Sequence, residues 1–198
     1  MTTLAELRDT LGRPSAEYIA KQMHRVPDFP VVDRERFILE RVKGKTVLDI
    51  GASGRMHEAI VAVAKKCYGI DRRDGDGVDG VNLDEAPAWE GLPNWHTGTE
   101  IVVCGEVLEH LANPGHFLRA MRTAHPVPVI FTVPNAASEI LQRNLRRGIE
   151  CVNNDHVAWY SHKTLSVLLG RYGYEPKDWA WYGPGQPGFN EGIICVAE

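Results

Sequence analysis

Short apolar runs rich in β-branched residues recur along the chain from residue 46 onward, and each ends at a glycine, a proline or a polar residue. Runs of this length and composition are typical of strands that are buried on both faces of a sheet. The pattern predicts seven strands, at residues 46–50, 67–71, 78–83, 100–104, 127–133, 175–182 and 190–197.

Apolar residues recur at every third or fourth position between these runs, which predicts amphipathic helices. One helix is expected to begin at residue 106 and to continue through Leu108 and Leu111. The others are expected at residues 16–25, 33–42, 57–66, 115–123, 138–147 and 161–172, after a first helix marked by Leu4, Leu7 and Leu11.

The alternation of strands and helices predicts the α/β class with a doubly wound, mostly parallel sheet. A glycine- and proline-rich turn at residues 183–188 joins the last two strands, which predicts an antiparallel hairpin at one edge. No linker divides the chain, so we expect one domain, residues 1–198, in which a helical N-terminal cap (1–43) precedes the α/β core (44–198). Ligands of such sheets bind at the carboxyl ends of the strands.

Composition narrows the class of protein without deciding its function. Hydrophobic residues make up 43% of the 198 residues and charged residues 24%, which excludes a disordered chain, a collagen-like repeat and a membrane bundle. The net charge of −4 gives no general attraction for nucleic acid. No secretory signal, no bilayer-length apolar run and no CxxC pair is present, so we expect a cytoplasmic protein.

The first predicted strand ends in a glycine turn that favours a nucleotide-like ligand. Gly51 follows the strand directly, and a helix N-terminus after such a turn attracts negative charge. Asp71 ends the second strand, twenty residues later, where a carboxylate can accept ribose hydroxyls. The turn has the form GxxG and not the dinucleotide-binding GxGxxG, and Asp49 stands two positions before Gly51.

Five segments in a fixed order resemble the class I S-adenosylmethionine-dependent methyltransferases: VLDIGASG, YGID, IVVCGEVLEHLANP, FTVPNAAS and HVAWYSHKTLSVLLGRYGYEP. The resemblance implies a Rossmann-like, seven-stranded sheet with an antiparallel last strand. It also implies S-adenosyl-L-methionine as the methyl donor and S-adenosyl-L-homocysteine as the product. The cofactor-binding residues would be Asp49, Gly51, Ala52, Ser53, Asp71, Arg72, Leu83, Asp84, Cys104 and Gly105.

Two positions of the glycine turn depart from the family pattern. The family usually has glycine where this chain has Ser53 and Arg55. Ser53 keeps a small side chain and preserves access to the cofactor. Arg55 either pairs with the carboxylate of the cofactor or points to solvent.

The segment EVLEH after the fourth strand carries the candidate catalytic groups. On a helix, Glu106, Glu109 and His110 would share one face beside the cofactor. We expect His110, His156 and Glu106 to be catalytic, since transfer to a hydroxyl requires a group that helps its proton to leave. The alternative is structural: Glu106 stabilises the start of the helix, and Glu109 and His110 form a buried network.

The same residues resemble two more specific families, the metal-dependent small-RNA 2′-O-methyltransferases and the ubiquinone-pathway O-methyltransferases. The resemblance lies in the ExxEH segment and the later DHxxxW-like segment. It implies a divalent metal, with Glu106, Glu109, His110 and His156 as its ligands.

We therefore expect a methyltransferase that acts on an oxygen or nitrogen of a small molecule rather than on nucleic acid. Two alternatives stay open: a metal-dependent RNA or nucleotide-ribose 2′-O-methyltransferase, and a non-catalytic cofactor-binding subunit that activates a partner. The remaining histidines, His57 among them, are interpreted as surface or capping residues, and Asn135 as a turn residue. The arginines at positions 143, 146 and 147 form either an anion-binding cluster or a solvated helix face.

Overall fold

Eight strands form one sheet in the computed structural model, which describes residues 16–85 and 96–198. The strands are β1 (Val31–Val32), β2 (Thr46–Ile50), β3 (Lys66–Asp71), β4 (Val78–Gly80), β5 (Ile101–Gly105), β6 (Val129–Pro134), β7 (Pro176–Tyr182) and β8 (Gly192–Ala197). Their order across the sheet is β1-β7-β8-β6-β5-β2-β3-β4. Only β8 runs antiparallel to its neighbours among these strands, which confirms the predicted antiparallel last strand.

The eighth strand is an addition to the predicted seven. β1 has two residues and pairs in parallel with the end of β7, where the amide of Trp181 donates to the carbonyl of Pro30. Two residues are too few to show a strand periodicity, so β1 was not detectable from the hydrophobic pattern.

Six α-helices accompany the sheet within the described ranges: α1 (Ala16–Gln22), α2 (Arg34–Val42), α3 (Gly54–Val63), α4 (Pro114–Ala124), α5 (Glu139–Leu145) and α6 (His162–Arg171). All six correspond to predicted helices. The expected first helix with Leu4, Leu7 and Leu11 lies outside the described residues. In the part of the chain that the structure describes, no helix is both long enough and apolar enough to cross a membrane.

The predicted helix from residue 106 through residue 111 is wrong. Only the 3₁₀ turn Leu108–His110 forms, because Glu106 has a left-handed φ of 56° that no right-handed helix contains. The carbonyl of Glu109 accepts hydrogen bonds from the amides of Val157 and Ala158, which replace helical partners with a distant loop.

The two faces of the sheet carry separate apolar layers, as a doubly wound sheet requires. Adjacent residues of β2 enter different layers because side chains of a strand alternate in direction. Leu48 packs in the layer that contains Phe117 of α4, and Val47 packs in the layer that contains Ile38 of α2. The layers hold the strand ends at one edge, where the candidate site lies.

Phe117→Ala should lower the free energy of unfolding by about 3–5 kcal/mol, because Phe117 is fully buried and its loss leaves a cavity. Urea denaturation measures this change. Val61→Ala on α3, where Val61 is half-exposed, is the control and should change the free energy by less than about 1 kcal/mol. A loss of that small size for Phe117→Ala would contradict the packing described here.

Candidate active site

The turn after β2 brings the backbone of Gly51 against the end of β5. Gly51 has φ 80°, and a Cβ atom at this position would lie 2.6 Å from Cγ2 of Val107 and 3.1 Å from the carbonyl oxygen of Gly105. The amides of Gly51 and Ala52 both donate to the carbonyl of Ile70 on β3. Only glycine fits this close approach in a left-handed conformation.

A cavity of about 430 Å³ opens at this edge, where β2, β3 and β5 end. Its volume suits a small organic ligand. Eight of the ten predicted cofactor-binding residues line it: Asp49, Gly51, Ser53, Asp71, Arg72, Leu83, Asp84 and Gly105. The other two, Ala52 and Cys104, are buried outside the cavity lining.

Cys104 packs in the apolar layer that also contains Phe117 of α4, and it is fully buried. Burial holds the pKa of this thiol well above its usual value.

The far wall of the cavity carries a chain of charged side chains. Arg72 lies 3.7 Å from Asp155, and the same carboxylate lies 3.2 Å from Nδ1 of His110. Asp84 accepts a hydrogen bond from the amide of Ala112 at 2.9 Å. The predicted cofactor residues on β3 and after β4 are thus tied to the segment that carries the predicted catalytic residues.

Asp49 and His57 form a pair that the sequence interpretation missed. His57 is not a surface or capping residue: its Nδ1 lies 2.8 Å from Oδ2 of Asp49, and both line the cavity. Burial raises the pKa of Asp49, while the hydrogen bond from His57 opposes that rise. The sequence did contain a signal for this pair. A side chain in the first turn of a helix that follows a glycine turn lies over the end of the preceding strand, which places His57 near Asp49.

Arg34 is a second residue that the sequence interpretation missed. It begins α2, lines the cavity, and its Nη2 would lie 3.2 Å from a Cβ atom on Gly105. Its Nε is buried and has no hydrogen-bond partner among the described residues. The charge of Arg34 lowers the pKa of both Asp49 and Glu109.

Arg55 does not reach the cavity. It forms an exposed ion pair with Glu35 of α2 at 2.8 Å, which links α3 to α2. Of the two alternatives for Arg55, the structure shows the solvent-exposed one. Ser53 lines the cavity with its small side chain.

Glu106 lies in the cavity and is held by two hydroxyl groups. Its Oε1 accepts hydrogen bonds from Oγ1 of Thr132 at 2.9 Å and from the hydroxyl of Tyr182 at 2.6 Å. Because the left-handed turn at Glu106 replaces a helix, Glu106 does not share a helix face with Glu109 and His110.

Glu109, His110 and His156 form a compact cluster, with one ligand atom of each within 4.8 Å of the others. The two imidazole rings meet edge to face, with centroids 4.6 Å apart. The Glu109 side chain is 1% exposed, and neither of its oxygens has a hydrogen-bond partner among the described residues. Burial, followed by the charge of Glu106, raises the pKa of Glu109 to about 8.

The cluster tests the predicted metal site. A buried carboxylate without a hydrogen-bond partner, 4.0 Å from one of two imidazoles, fits a divalent ion with mixed nitrogen and oxygen ligands. Three of the four predicted ligands belong to this group, and Glu106 does not. The residues present can therefore hold such an ion, with Glu106 as a neighbour bound to hydroxyl groups.

A second cavity, of about 230 Å³, lies on the other side of the histidine pair. His110 lines the first cavity and His156 lines the second, so the two imidazoles stand between them. Most of the second cavity's side chains are apolar, and they include Pro134, Ile140, Leu141, Val152, Ala158 and Trp159.

Two other sequence candidates have a place in the structure. Asn135 is buried and has the local bonds of a turn residue, since its Oδ1 accepts from the amide of Ala137 and its carbonyl from the amide of Ser138. Its side-chain amide also donates to the distant carbonyls of Gly188 and Asn190. The three arginines at positions 143, 146 and 147 are exposed at the end of α5, without an ion pair in the described ranges.

A model of a protein family described as a methyltransferase domain matches residues 20–177. The chain belongs to this family. It is a class I S-adenosylmethionine-dependent methyltransferase, as the sequence segments predicted. A search of curated proteins found no significant match.

Solved structures share the fold of this methyltransferase at low identity. A small RNA methyltransferase, HEN1, is 19% identical with a TM-score of 0.62, over 93% of this chain and 26% of that chain. The Burkholderia thailandensis 1,6-didemethyltoxoflavin-N1-methyltransferase, with S-adenosylhomocysteine bound, is 12% identical with a TM-score of 0.58, over 82% and 76%. The Synechocystis magnesium protoporphyrin IX methyltransferase, also with bound S-adenosylhomocysteine, is 15% identical with a TM-score of 0.55, over 82% and 80%.

Gly51→Ala should weaken binding of S-adenosylhomocysteine about tenfold or more and lower the free energy of unfolding by about 1–3 kcal/mol. The reason is the combination of a left-handed φ and a Cβ atom 2.6 Å from Val107. Gly44→Ala is a matched control, because Gly44 has φ 72° with nothing within 4 Å. Calorimetric titration and urea denaturation measure both effects, and equal losses in the two variants would contradict the close approach.

The Asp49–His57 pair should make stability depend on pH. Its hydrogen bond raises the pKa of His57, so the stabilisation is fully present below about pH 6.5 and is lost as pH rises through the raised pKa. Between about pH 6 and about pH 9, the wild type should therefore lose more free energy of unfolding than His57→Gln. Val61→Ala, a half-exposed and non-titrating position on the same helix, should keep the wild-type slope. Parallel slopes for wild type and His57→Gln would refute the assignment.

Proposed function

We propose that this methyltransferase transfers the methyl group of S-adenosylmethionine to a hydroxyl oxygen of a small molecule bound in the second cavity. The position of the His110–His156 pair between the two cavities carries the proposal. Methyl transfer needs the acceptor oxygen in line with the methyl group and in contact with it. An acceptor in the second cavity would therefore reach past the edge of the imidazole pair, where the two cavities adjoin.

The first cavity has the groups that the donor requires. S-adenosylmethionine supplies a methyl group that its sulfonium charge makes electrophilic. Asp71 would accept hydrogen bonds from the ribose, and Leu83 with Asp84 would border the adenine. The Nε of Arg34 has no hydrogen-bond partner among the described residues and would donate to the carboxylate of the methionine part. The glycine turn at Gly51 would let the cofactor lie close to the backbone.

The second cavity favours a small acceptor. Its volume of about 230 Å³ and its mainly apolar walls suit a compact, largely apolar molecule, and the net charge of −4 does not attract a polyanion. His156 faces this cavity and would accept the proton of the acceptor hydroxyl as the oxygen–carbon bond forms. His110, whose Nδ1 lies 3.2 Å from a carboxylate oxygen of Asp155, would orient His156 through their ring contact.

A second candidate function rests on Glu109. Its buried carboxylate has no hydrogen-bond partner among the described residues and lies beside two imidazoles, which supports a divalent ion and the metal-dependent ribose 2′-O-methylation of RNA. Such an ion would supply Lewis-acid activation of a hydroxyl group. A small RNA methyltransferase shares the fold, although at 19% identity.

His156→Ala should lower kcat for a hydroxylated small-molecule acceptor by about 10²-fold or more, because the proton acceptor is lost. Binding of S-adenosylhomocysteine should stay within about threefold of wild type, since His156 does not line the first cavity. Methyl transfer from radiolabelled S-adenosylmethionine to a panel of phenols and aliphatic alcohols measures the first effect, and calorimetry the second. His116→Ala is the matched control.

The same assay separates the two candidate functions. If methyl transfer to a small molecule persists in the presence of a chelator, the result supports the proposed function and excludes a metal requirement. Activity that requires added divalent ion, occurs on RNA only, and disappears in Glu109→Gln would overturn it in favour of ribose methylation. Full activity of His156→Ala on a small molecule would refute the catalytic role of His156.

A further inference from the structure

A third cavity, of about 430 Å³, lies between the N-terminal segment 23–27 and the start of α6. The N-terminal segment is fixed over the core at two places. Val26 occupies the space that a Cβ atom on Gly188 would need, and the amide of Trp181 donates to the carbonyl of Pro30 just beyond the segment. The N-terminal segment 23–27 therefore covers one side of the cavity and is held against the core.

The lining of this cavity is basic. Its cations are Arg25 and Lys163, and none of its lining residues is Asp or Glu. Arg25 and Lys163 form no ion pair with any residue in 16–85 or 96–198. By contrast, Arg41, Arg55 and Lys177 each have a carboxylate within 2.8 Å. Positive groups from two separate segments thus converge on one cavity without a counter-charge.

The start of α6 adds to this positive character. The first turn has no acidic residue and carries Lys163, although the positive end of a helix dipole disfavours a cation. Burial, followed by the charge of Lys163, lowers the pKa of His162. Ser161, His162 and Lys163 at the N-terminus of this ten-residue helix line the cavity. A capping box between Ser161 and Thr164 already satisfies the amide of Thr164, and the dipole of the helix still favours an anion at this end.

An unpartnered buried donor also borders this cavity. Trp181 is 1% exposed and lines the cavity, and its indole N–H has no hydrogen-bond partner among the described residues. A buried N–H group without an acceptor is costly, and an oxygen atom of a ligand would remove that cost. This donor is independent of the charges on Arg25 and Lys163.

We propose that the third cavity binds the phosphate group of a small organic phosphate. Arg25 and Lys163 would neutralise the phosphate, and Trp181 would donate a hydrogen bond to an acceptor oxygen of the ligand. A cavity of about 430 Å³ is larger than a bare anion needs and leaves room for the organic part. The site shares no residue with the donor cavity and does not rest on the proposed acceptor or its chemistry.

Phenyl phosphate and inorganic phosphate are the probes, titrated calorimetrically at constant ionic strength with S-adenosylhomocysteine in excess to fill the donor cavity. The wild type should bind phenyl phosphate saturably and more tightly than inorganic phosphate. Arg25→Gln combined with Lys163→Gln should weaken this binding about tenfold or more. Lys43→Gln combined with Arg171→Gln makes the same change in charge at exposed positions outside the cavity and should bind like wild type.

Three results would overturn the proposal: no saturable binding to wild type, equal weakening in the two double variants, or loss of binding in Arg143→Gln combined with Arg147→Gln instead. If phenyl phosphate binds no more tightly than inorganic phosphate, the proposal that the cavity also binds an organic group is refuted. Trp181→Phe removes the N–H group and should weaken binding severalfold. Unchanged binding of S-adenosylhomocysteine in each variant shows that the fold is intact.

Discussion

The close approach of the turn after β2 to the end of β5 is the constraint on which the candidate site depends. Gly51 touches Val107 and Gly105 through its backbone, and no side chain fits between them. This contact opens a cavity beside the turn instead of a filled core. It also places the residues that follow β5 at the cavity, because Glu106 must turn into a left-handed conformation immediately after the strand.

Acidic groups concentrate at this edge of the sheet. Asp49 and Glu106 line the first cavity, Glu109 follows in the next turn, and burial raises the pKa of Asp49 and Glu109. His57 offsets this for Asp49, and the charge of Arg34 favours the ionised forms of both. Arg34 therefore couples the N-terminal part of the chain to the catalytic edge of the sheet.

Three cavities of different character surround the same end of the sheet. The first is lined by many polar and charged side chains, the second is mainly apolar and meets the first at the histidine pair, and the third carries Arg25 and Lys163. Asn135 borders the second and the third, and its buried amide fixes the turn between them. One rigid turn thus separates regions that would bind chemically distinct groups.

The sequence by itself determined strands β2 to β8, the helices α1 to α6, the antiparallel last strand, and eight residues that the structure brings together around the first cavity. The periodicity of apolar residues and the position of glycine turns are local properties of the chain, so they can be predicted from the sequence. Tertiary structure decided the Asp49–His57 pair, the place of Arg34 and the 3₁₀ turn at Leu108. These depend on contacts between distant segments, such as the amides of Val157 and Ala158 on the carbonyl of Glu109, which no local periodicity encodes.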